Sequence, residues 1–127
     1  MKLLKKIDIF GKSDFLWRTF SADQIDLDFK NPSVLLRFIK IMVHLVSNGV
    51  TIFRLDAIAY LWKKNGTNCI NLKQTHEIVK LLRLISNLLN VETIIITETN
   101  LPEKENLSYF GKNDEATGFI IFLFHPY

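Results

Sequence analysis

Two carboxylates in this 127-residue sequence stand where two strands should end. Asp56 follows the segment VTIFRL and Glu98 follows TIIIT, and both segments are rich in the β-branched residues typical of strands. Paired carboxylates can act as nucleophile and general acid/base in glycosyl transfer, with retention of configuration when they lie about 5–5.5 Å apart. The sequence therefore suggests a two-carboxylate site at a sugar carbon.

Arg54 adds to this hypothesis because it lies two residues before Asp56. In a strand that spacing points both side chains to one face. A guanidinium beside a carboxylate favours the ionised form, which suits a nucleophile, whereas a glutamate in a partly desolvated cleft suits the acid role. The alternative is that these side chains only cap loops or form ion pairs, and spacing alone leaves that alternative open.

A first helix is predicted before the strand that ends at Asp56. Asn31 and Pro32 form a helix-start signal, since asparagine caps helices and proline suits the first helical position. Gly49 is a stop signal, because glycine accepts the left-handed conformation after a helix. Apolar residues recur at helical spacing between them: Val34, Phe38, Ile41, Met42 and Leu45.

A second helix is predicted from about Gln74 to Leu89, between two strands at about 50–56 and 93–97. The apolar character of both strands predicts that they are buried. Strands that bracket a helix in this way pair in parallel with a right-handed crossover. Asp56 and Glu98 are 98 − 56 = 42 residues apart, about one such repeat, so both should lie on the same rim of the sheet.

The remaining segments are less regular. Residues 1–30 are expected to be irregular or short extended structure, with a turn at 11–14. The segment 57–72 is expected to be a long loop with at most a helical turn. Functional residues of parallel α/β folds lie on such loops, at the carboxyl ends of the strands.

Composition argues against several classes of function. The net charge is +3 with no run of Lys or Arg longer than two, which disfavours a nucleic-acid partner. No segment approaches the ~20 apolar residues of a membrane span. No metal-ligand spacing is present, and no cofactor is expected. The single cysteine, Cys69, and the absence of a secretory signal fit a cytoplasmic protein.

Several strings resemble glycoside hydrolase family 13, the α-amylase family. The resemblance is greatest to its sucrose phosphorylase-like branch, which includes glucosylglycerate phosphorylases. It is carried, in order, by WRTFSADQIDLDFKNP, FRLDAIAYLWKKNGTNC, QTHEIVKLL, IIITETN and ENLSYFGKNDEA. The resemblance implies Asp56 as the nucleophile, Glu98 as the general acid/base and Arg54 as the residue that orients the nucleophile. Tyr60 stands where many amylases have a histidine, which favours the phosphorylase-like branch.

The same resemblance implies an α/β fold, an incomplete (β/α)8 TIM barrel containing about strands 4 and 5 with helices 3 and 4. Residues 1–30 would be a remnant of an inserted domain, and 31–116 a partial catalytic domain. The parent enzyme would transfer glucose from an α-glucoside, such as sucrose or glucosylglycerate, to inorganic phosphate. Because such barrels need ~250 residues, the chain is expected to be inactive alone. The alternatives are another family 13 glycosidase or transglucosidase, or a small α/β binding module without catalysis.

The final segment, TGFIIFLFHPY, departs from the family pattern and suggests a frameshift after Ala116. Relatives continue with text like QMVYNFSLPPL. We predict that the DNA encoding 117–127, read from its third base, gives RVYNFSLPPL, with barrel-coding text upstream of Met1. Sequencing the coding DNA and its flanks checks this, and codons that give unrelated text in the shifted frame would contradict it.

Overall fold

The computed structural model describes residues 4–89, 91–99, 101–110 and 119–121. They form two separate sheets and three helices, in the chain order that follows. The elements are β1 (Leu4–Ile9), β2 (Lys12–Trp17), α1 (Pro32–Ser47), β3 (Ile52–Leu55), a one-turn 3-10 helix (Ile58–Tyr60), α2 (Lys73–Leu88), β4 (Ile94–Thr97), α3 (Glu103–Leu107) and β5 (Phe119–Ile121).

The first sheet is an antiparallel hairpin of β1 and β2, with Leu4 opposite Trp17 and Ile9 opposite Lys12. Its turn lies at Phe10 and Gly11, which both have positive φ angles of 49° and 76°. Two successive positive φ angles match the twist of a two-residue hairpin. The prediction of extended structure within 1–30 is therefore confirmed, but the turn lies earlier than the expected 11–14.

Helix α1 begins and ends where its sequence signals predict. The Asn31 side chain accepts a hydrogen bond from the Ser33 backbone N–H, and Pro32 occupies the first turn. Gly49 follows the helix with a φ of 88°. Only Met42 of this helix is buried. Its exposed large apolar residues are Leu36, Phe38, Ile41, Val43 and Leu45.

The second sheet has the order β3-β4-β5 and is parallel throughout. Helix α2 connects β3 to β4, as the sequence predicted. The register pairs Ile52 with Ile94 and Leu55 with Thr97, so the two strands end at the same level. This pairing forms the rim that carries the site.

The prediction that β3 is buried is wrong. Ile52 is 57% exposed and Arg54 also faces solvent, whereas Ile95 and Thr97 of β4 are 0% exposed. The physical reason is position in the sheet. Strand β4 has a hydrogen-bonded neighbour on each side, whereas β3 pairs only with β4 among the described residues.

The core lies under α2. Phe29, Ile78 and Leu82 form one buried cluster, against which Leu55 and Trp62 pack. A second cluster joins Ile58, Val79 and Tyr109. Helix α2 therefore contributes to both clusters and fixes the loop after β3 against the segments around it.

The sequence analysis did not predict helix α3, which lies in the polar segment after β4. The Pro102 carbonyl accepts hydrogen bonds from the Glu105 and Asn106 N–H groups at 2.9 and 3.0 Å. Of the final segment, the described residues 119–121 form the edge strand β5, and the rest lies outside the described residues. The frameshift itself stays a prediction.

Removing the side chain at the centre of β4 should destabilise the sheet. Ile95 is fully buried, so Ile95→Ala is expected to lower the free energy of unfolding by about 2–4 kcal/mol through lost apolar contact and a residual cavity. Its neighbour Ile94 is 37% exposed and serves as the matched control, with a smaller loss. Urea denaturation measures both, and equal losses would contradict the assigned orientation of β4.

Candidate active site

Asp56 and Glu98 each follow the last residue of a strand, at equivalent positions of the parallel pair. Leu55 is opposite Thr97, and the Glu98 backbone N–H still donates to the Leu55 carbonyl at 3.0 Å. Both carboxylates therefore project from the carboxyl-end rim, as the sequence predicted. This rim is where parallel α/β folds place their ligands.

Arg54 joins the two carboxylates. Its Nη2 atom donates a hydrogen bond to Glu98 Oε2 and lies 3.6 Å from Asp56 Oδ1. Both carboxylates therefore lie close enough to contact one guanidinium group. The side chains of Asp56, Arg54 and Glu98 are 74%, 54% and 17% exposed. Glu98 is therefore the more enclosed carboxylate.

The chain turns sharply after Asp56. Ala57 has a φ of 49° and ψ of 31°, a left-handed conformation that costs a residue with a Cβ roughly 1 kcal/mol. The following Ile58 and Ala59 are 2% and 0% exposed. Burial of these two side chains stabilises the turn, and the turn leaves the Asp56 side chain at the mouth of the site.

A cavity of about 290 Å³ opens at this rim. Its lining residues are Phe20, Gln24, Asp56, Ala57, Tyr60, Glu98 and Thr99. The Tyr60 ring meets the Phe20 ring edge-on, with centroids 5.2 Å apart. Three of the four residues singled out from the sequence therefore line one cavity, and the fourth, Arg54, contacts two of them.

Sequence reasoning gave no role to Phe20, Gln24 or Thr99. Phe20 and Gln24 lie within residues 1–30, which were expected to be irregular or short extended structure, and only folding brings these two residues to the rim. Thr99 follows Glu98 and donates a side-chain hydrogen bond to Asn106 Oδ1. Asn106 in turn donates to the Leu101 carbonyl at 2.7 Å, so α3 holds the chain after β4 in place.

Other candidate residues have structural roles. Trp62 packs against the cluster of Phe29, Ile78 and Leu82 and does not line the cavity. Cys69 is 0% exposed, and its Sγ atom lies 3.3 Å from the Lys64 backbone nitrogen. In the described ranges, no group of three or more His, Cys, Asp or Glu side chains could hold a metal ion.

The His76 ring stacks on the Tyr109 ring, with centroids 4.2 Å apart. Burial lowers the pKa of His76, and the positive charge of Lys80 lowers it further, against an opposing effect of Glu77. Burial also raises the pKa of Tyr109, with a smaller contribution from Glu105. Both side chains are therefore held in their neutral forms.

The parallel strands and the helix that connects them define an α/β protein with two carboxylates at one rim of its sheet, and the comparison with known families agrees. Residues 11–127 match the family model described as "Alpha amylase, catalytic domain". The chain belongs to the α-amylase family, glycoside hydrolase family 13. The family expected from the sequence is confirmed.

Two of the curated relatives are glucosylglycerate phosphorylases, as the expected branch includes. The chain is 56% identical over 101 residues to the glucosylglycerate phosphorylase of Spirochaeta thermophila. The matched residues cover 80% of this chain and 17% of that protein. It is 48% identical over 105 residues to the glucosylglycerate phosphorylase of Escherichia coli K12, and this match covers 83% of the chain and 19% of that protein. The chain thus spans less than a fifth of the length of these relatives.

Solved structures show the same fold. Sucrose 6F-phosphate phosphorylase from Thermoanaerobacter thermosaccharolyticum matches with a TM-score of 0.77 at 23% identity, covering 94% of this chain and 24% of that one. Isomaltulose synthase from Erwinia rhapontici NX5 matches with a TM-score of 0.76 at 16% identity, and this match covers 92% of this chain and 23% of that one. These neighbours are TIM-barrel enzymes, and this chain is a small α/β piece of that architecture. Among the described residues, no helix is both long and apolar enough to span a bilayer.

The lowered pKa of His76 predicts a loss of stability on acidification. Below its usual value of 6.5, the unfolded chain takes up a proton that the folded chain resists, so stability present above that pH is lost as the pH falls toward the folded pKa. His76→Gln should flatten this slope. Urea denaturation between about pH 5 and pH 8 measures it. An unchanged slope in the variant would assign the pH dependence to other groups.

Proposed function

We propose that this chain supplies the catalytic segment of a retaining α-glucosyl phosphorylase. The observation that carries the proposal is the placement of Asp56 and Glu98 on adjacent parallel strand ends with Arg54 in contact with both. The shared contact with Arg54 supports a double displacement, in which the two carboxylates must reach the same glycosidic bond. In the barrel, β3 and β4 would be strands 4 and 5, and α1 and α2 would be helices 3 and 4.

Asp56 is the proposed nucleophile. Its carboxylate would attack C1 of the glucosyl unit to form a glucosyl ester, while Glu98 donates its proton to the departing glycosidic oxygen. Phosphate would then attack C1 and release the Asp56 carboxylate, while Glu98 takes the phosphate proton. Two inversions at C1 yield α-glucose 1-phosphate with net retention.

Arg54 and Tyr60 are the proposed substrate-site residues. In the unliganded chain Arg54 is hydrogen-bonded to Glu98 and lies 3.6 Å from Asp56, so orienting the nucleophile requires only a small turn of the guanidinium. Tyr60 lines the same cavity and presents its ring beside Phe20. An aromatic surface of this kind suits the apolar face of a sugar ring.

The glucoside is of the sucrose or glucosylglycerate type, and the names of the curated relatives favour glucosylglycerate. The chain is also 31% identical to the trehalose synthase of Pimelobacter. Transfer of the glucosyl unit to a sugar is therefore the second candidate function. Residues 1–30 are proposed to come from an inserted domain, 31–116 from the catalytic barrel and 117–127 from a shifted frame. A cytoplasmic location stays a prediction.

The test places residues 17–110 of this chain in the barrel of the E. coli glucosylglycerate phosphorylase, in place of the matching segment. We expect the chimera to form glucose 1-phosphate from glucosylglycerate and phosphate. Asp56→Asn should lower kcat by about 10⁴-fold or more, as removing a nucleophile does in other hydrolytic sites. Asp28, an exposed aspartate within the same segment that does not line the cavity, is the matched control, and Asp28→Asn should leave kcat unchanged.

The outcomes separate the candidates. An active chimera that is insensitive to Asp56→Asn would overturn the assigned nucleophile, and a β-configured product would overturn retention. Transfer to glucose without phosphate would favour the second candidate. The isolated chain is expected to give no glucose 1-phosphate, because positioning and preorganised charge from the rest of a barrel supply most of such a rate enhancement. Turnover by the chain alone would contradict this expectation.

A further inference from the structure

Lys63 is a buried cation outside the carboxylate pair. Its side chain is 2% exposed, which is rare for lysine unless the charge is paired. The Nζ atom lies 2.9 Å from Asp26 Oδ2 and donates to Thr19 Oγ1 at 2.7 Å. Thr19 in turn donates to Asp26 Oδ2 at 2.6 Å. These three side chains form a closed, charge-assisted network, which we call the Lys63 network.

The Lys63 network connects two of the three segments that line the cavity, namely 17–26 and the loop after β3. Lys63 lies in the loop after β3, which also carries Asp56 and Tyr60. Its partners are 44 residues away for Thr19 and 37 for Asp26 (63 − 19 = 44 and 63 − 26 = 37). Segment 17–26 is itself closed by a hydrogen bond from the Asp26 N–H to the Trp17 carbonyl at 2.9 Å.

The residues that reach the cavity lie between the two anchors. Phe20 directly follows Thr19, and Gln24 precedes Asp26 by two positions, and both line the cavity. The two segments also meet where the Phe20 ring approaches the Tyr60 ring edge-on, with centroids 5.2 Å apart. Phe20 is itself 55% exposed, so this ring contact buries little apolar area.

We propose that Lys63 is a positioning residue that holds segment 17–26 against the loop after β3 and so sets the width of the cavity. This inference rests on the proposed function in one respect: it takes this cavity to be the sugar site. Its physical basis is the cost of burying charge. Without the ammonium group, the Asp26 carboxylate would be left enclosed and unpaired, which is strongly unfavourable. Segment 17–26 would then move outward until water reaches Asp26, and Phe20 and Gln24 would move with it.

The experiment compares unliganded wild-type chain with Lys63→Met, which keeps the length of the side chain but removes its charge. Lys64→Met is the matched control, because the adjacent lysine is exposed. NMR measures hydrogen exchange at the Asp26 amide and the nuclear Overhauser effects between the Phe20 and Tyr60 rings. The Glu98 amide, which is bonded to Leu55, reports on the sheet.

In Lys63→Met we expect the Asp26 amide to exchange about tenfold faster or more, because the segment closed by its hydrogen bond to Trp17 loses its charge-assisted contact with Lys63. The Phe20–Tyr60 signals should disappear, while exchange at Glu98 stays within about twofold because the sheet is intact. Lys64→Met should change none of these. Retained Phe20–Tyr60 signals in Lys63→Met, or equal acceleration at Asp26 and Glu98, would overturn the proposal.

A second variant covers the case in which Lys63→Met fails to fold. Lys63→Met combined with Asp26→Asn removes both charges, so no uncompensated carboxylate remains buried. We expect this double variant to keep the exchange rate of Glu98 and to lose the Phe20–Tyr60 signals. If it also unfolds, Lys63 supports the whole fold and not the cavity wall, and the proposal is wrong. No sugar is added, so a chain that proves unable to bind a glucoside leaves this result standing.

Discussion

The parallel pairing of β3 with β4 is the constraint on which the site depends. It brings together Asp56 and Glu98, 42 residues apart in the chain (98 − 56 = 42), because the register places Leu55 opposite Thr97. A shift of one residue would turn one of the two side chains to the other face of the sheet. The backbone ladder continues to the Glu98 N–H, so the register is held up to the site itself. Arg54 can contact both carboxylates because this hydrogen-bond ladder places Asp56 and Glu98 at the same position along the two strands.

The loop after β3 is held in an unusual conformation by local contacts. Ala57, Cys69 and Asn71 all have positive φ angles without being glycine, which is unfavourable for each. The buried Cys69 sulfur accepts a hydrogen bond from the Lys64 backbone N–H, and the Asn71 N–H donates to the Ala59 carbonyl at 2.8 Å. These contacts offset the backbone strain. The loop can therefore present Tyr60 to the cavity while its neighbours Ile58 and Ala59 are buried in the core.

Burial is uneven across the described residues. Helix α2 is packed into both core clusters, whereas α1 buries only Met42 and leaves Phe38 and Ile41 exposed. Large exposed apolar areas commonly mark surfaces that contact other protein. The relatives are more than five times as long as the matched segment, so in them further barrel elements are available to cover such faces.

The sequence alone determined the helix–strand–helix–strand order, the cap of α1 at Asn31, and the meeting of Asp56, Arg54 and Glu98 at one rim. These features follow from local signals and from the rule that successive parallel strands end on the same side. Only the tertiary structure decided that β3 is exposed, because burial depends on which elements cover a strand and not on its composition. It also decided that Phe20 and Gln24 line the cavity, since their polar segment carries no periodic pattern. Segment 17–26 contacts Lys63 of the loop after β3 through side chains 37 and 44 positions apart in the sequence, a pairing that no local pattern encodes.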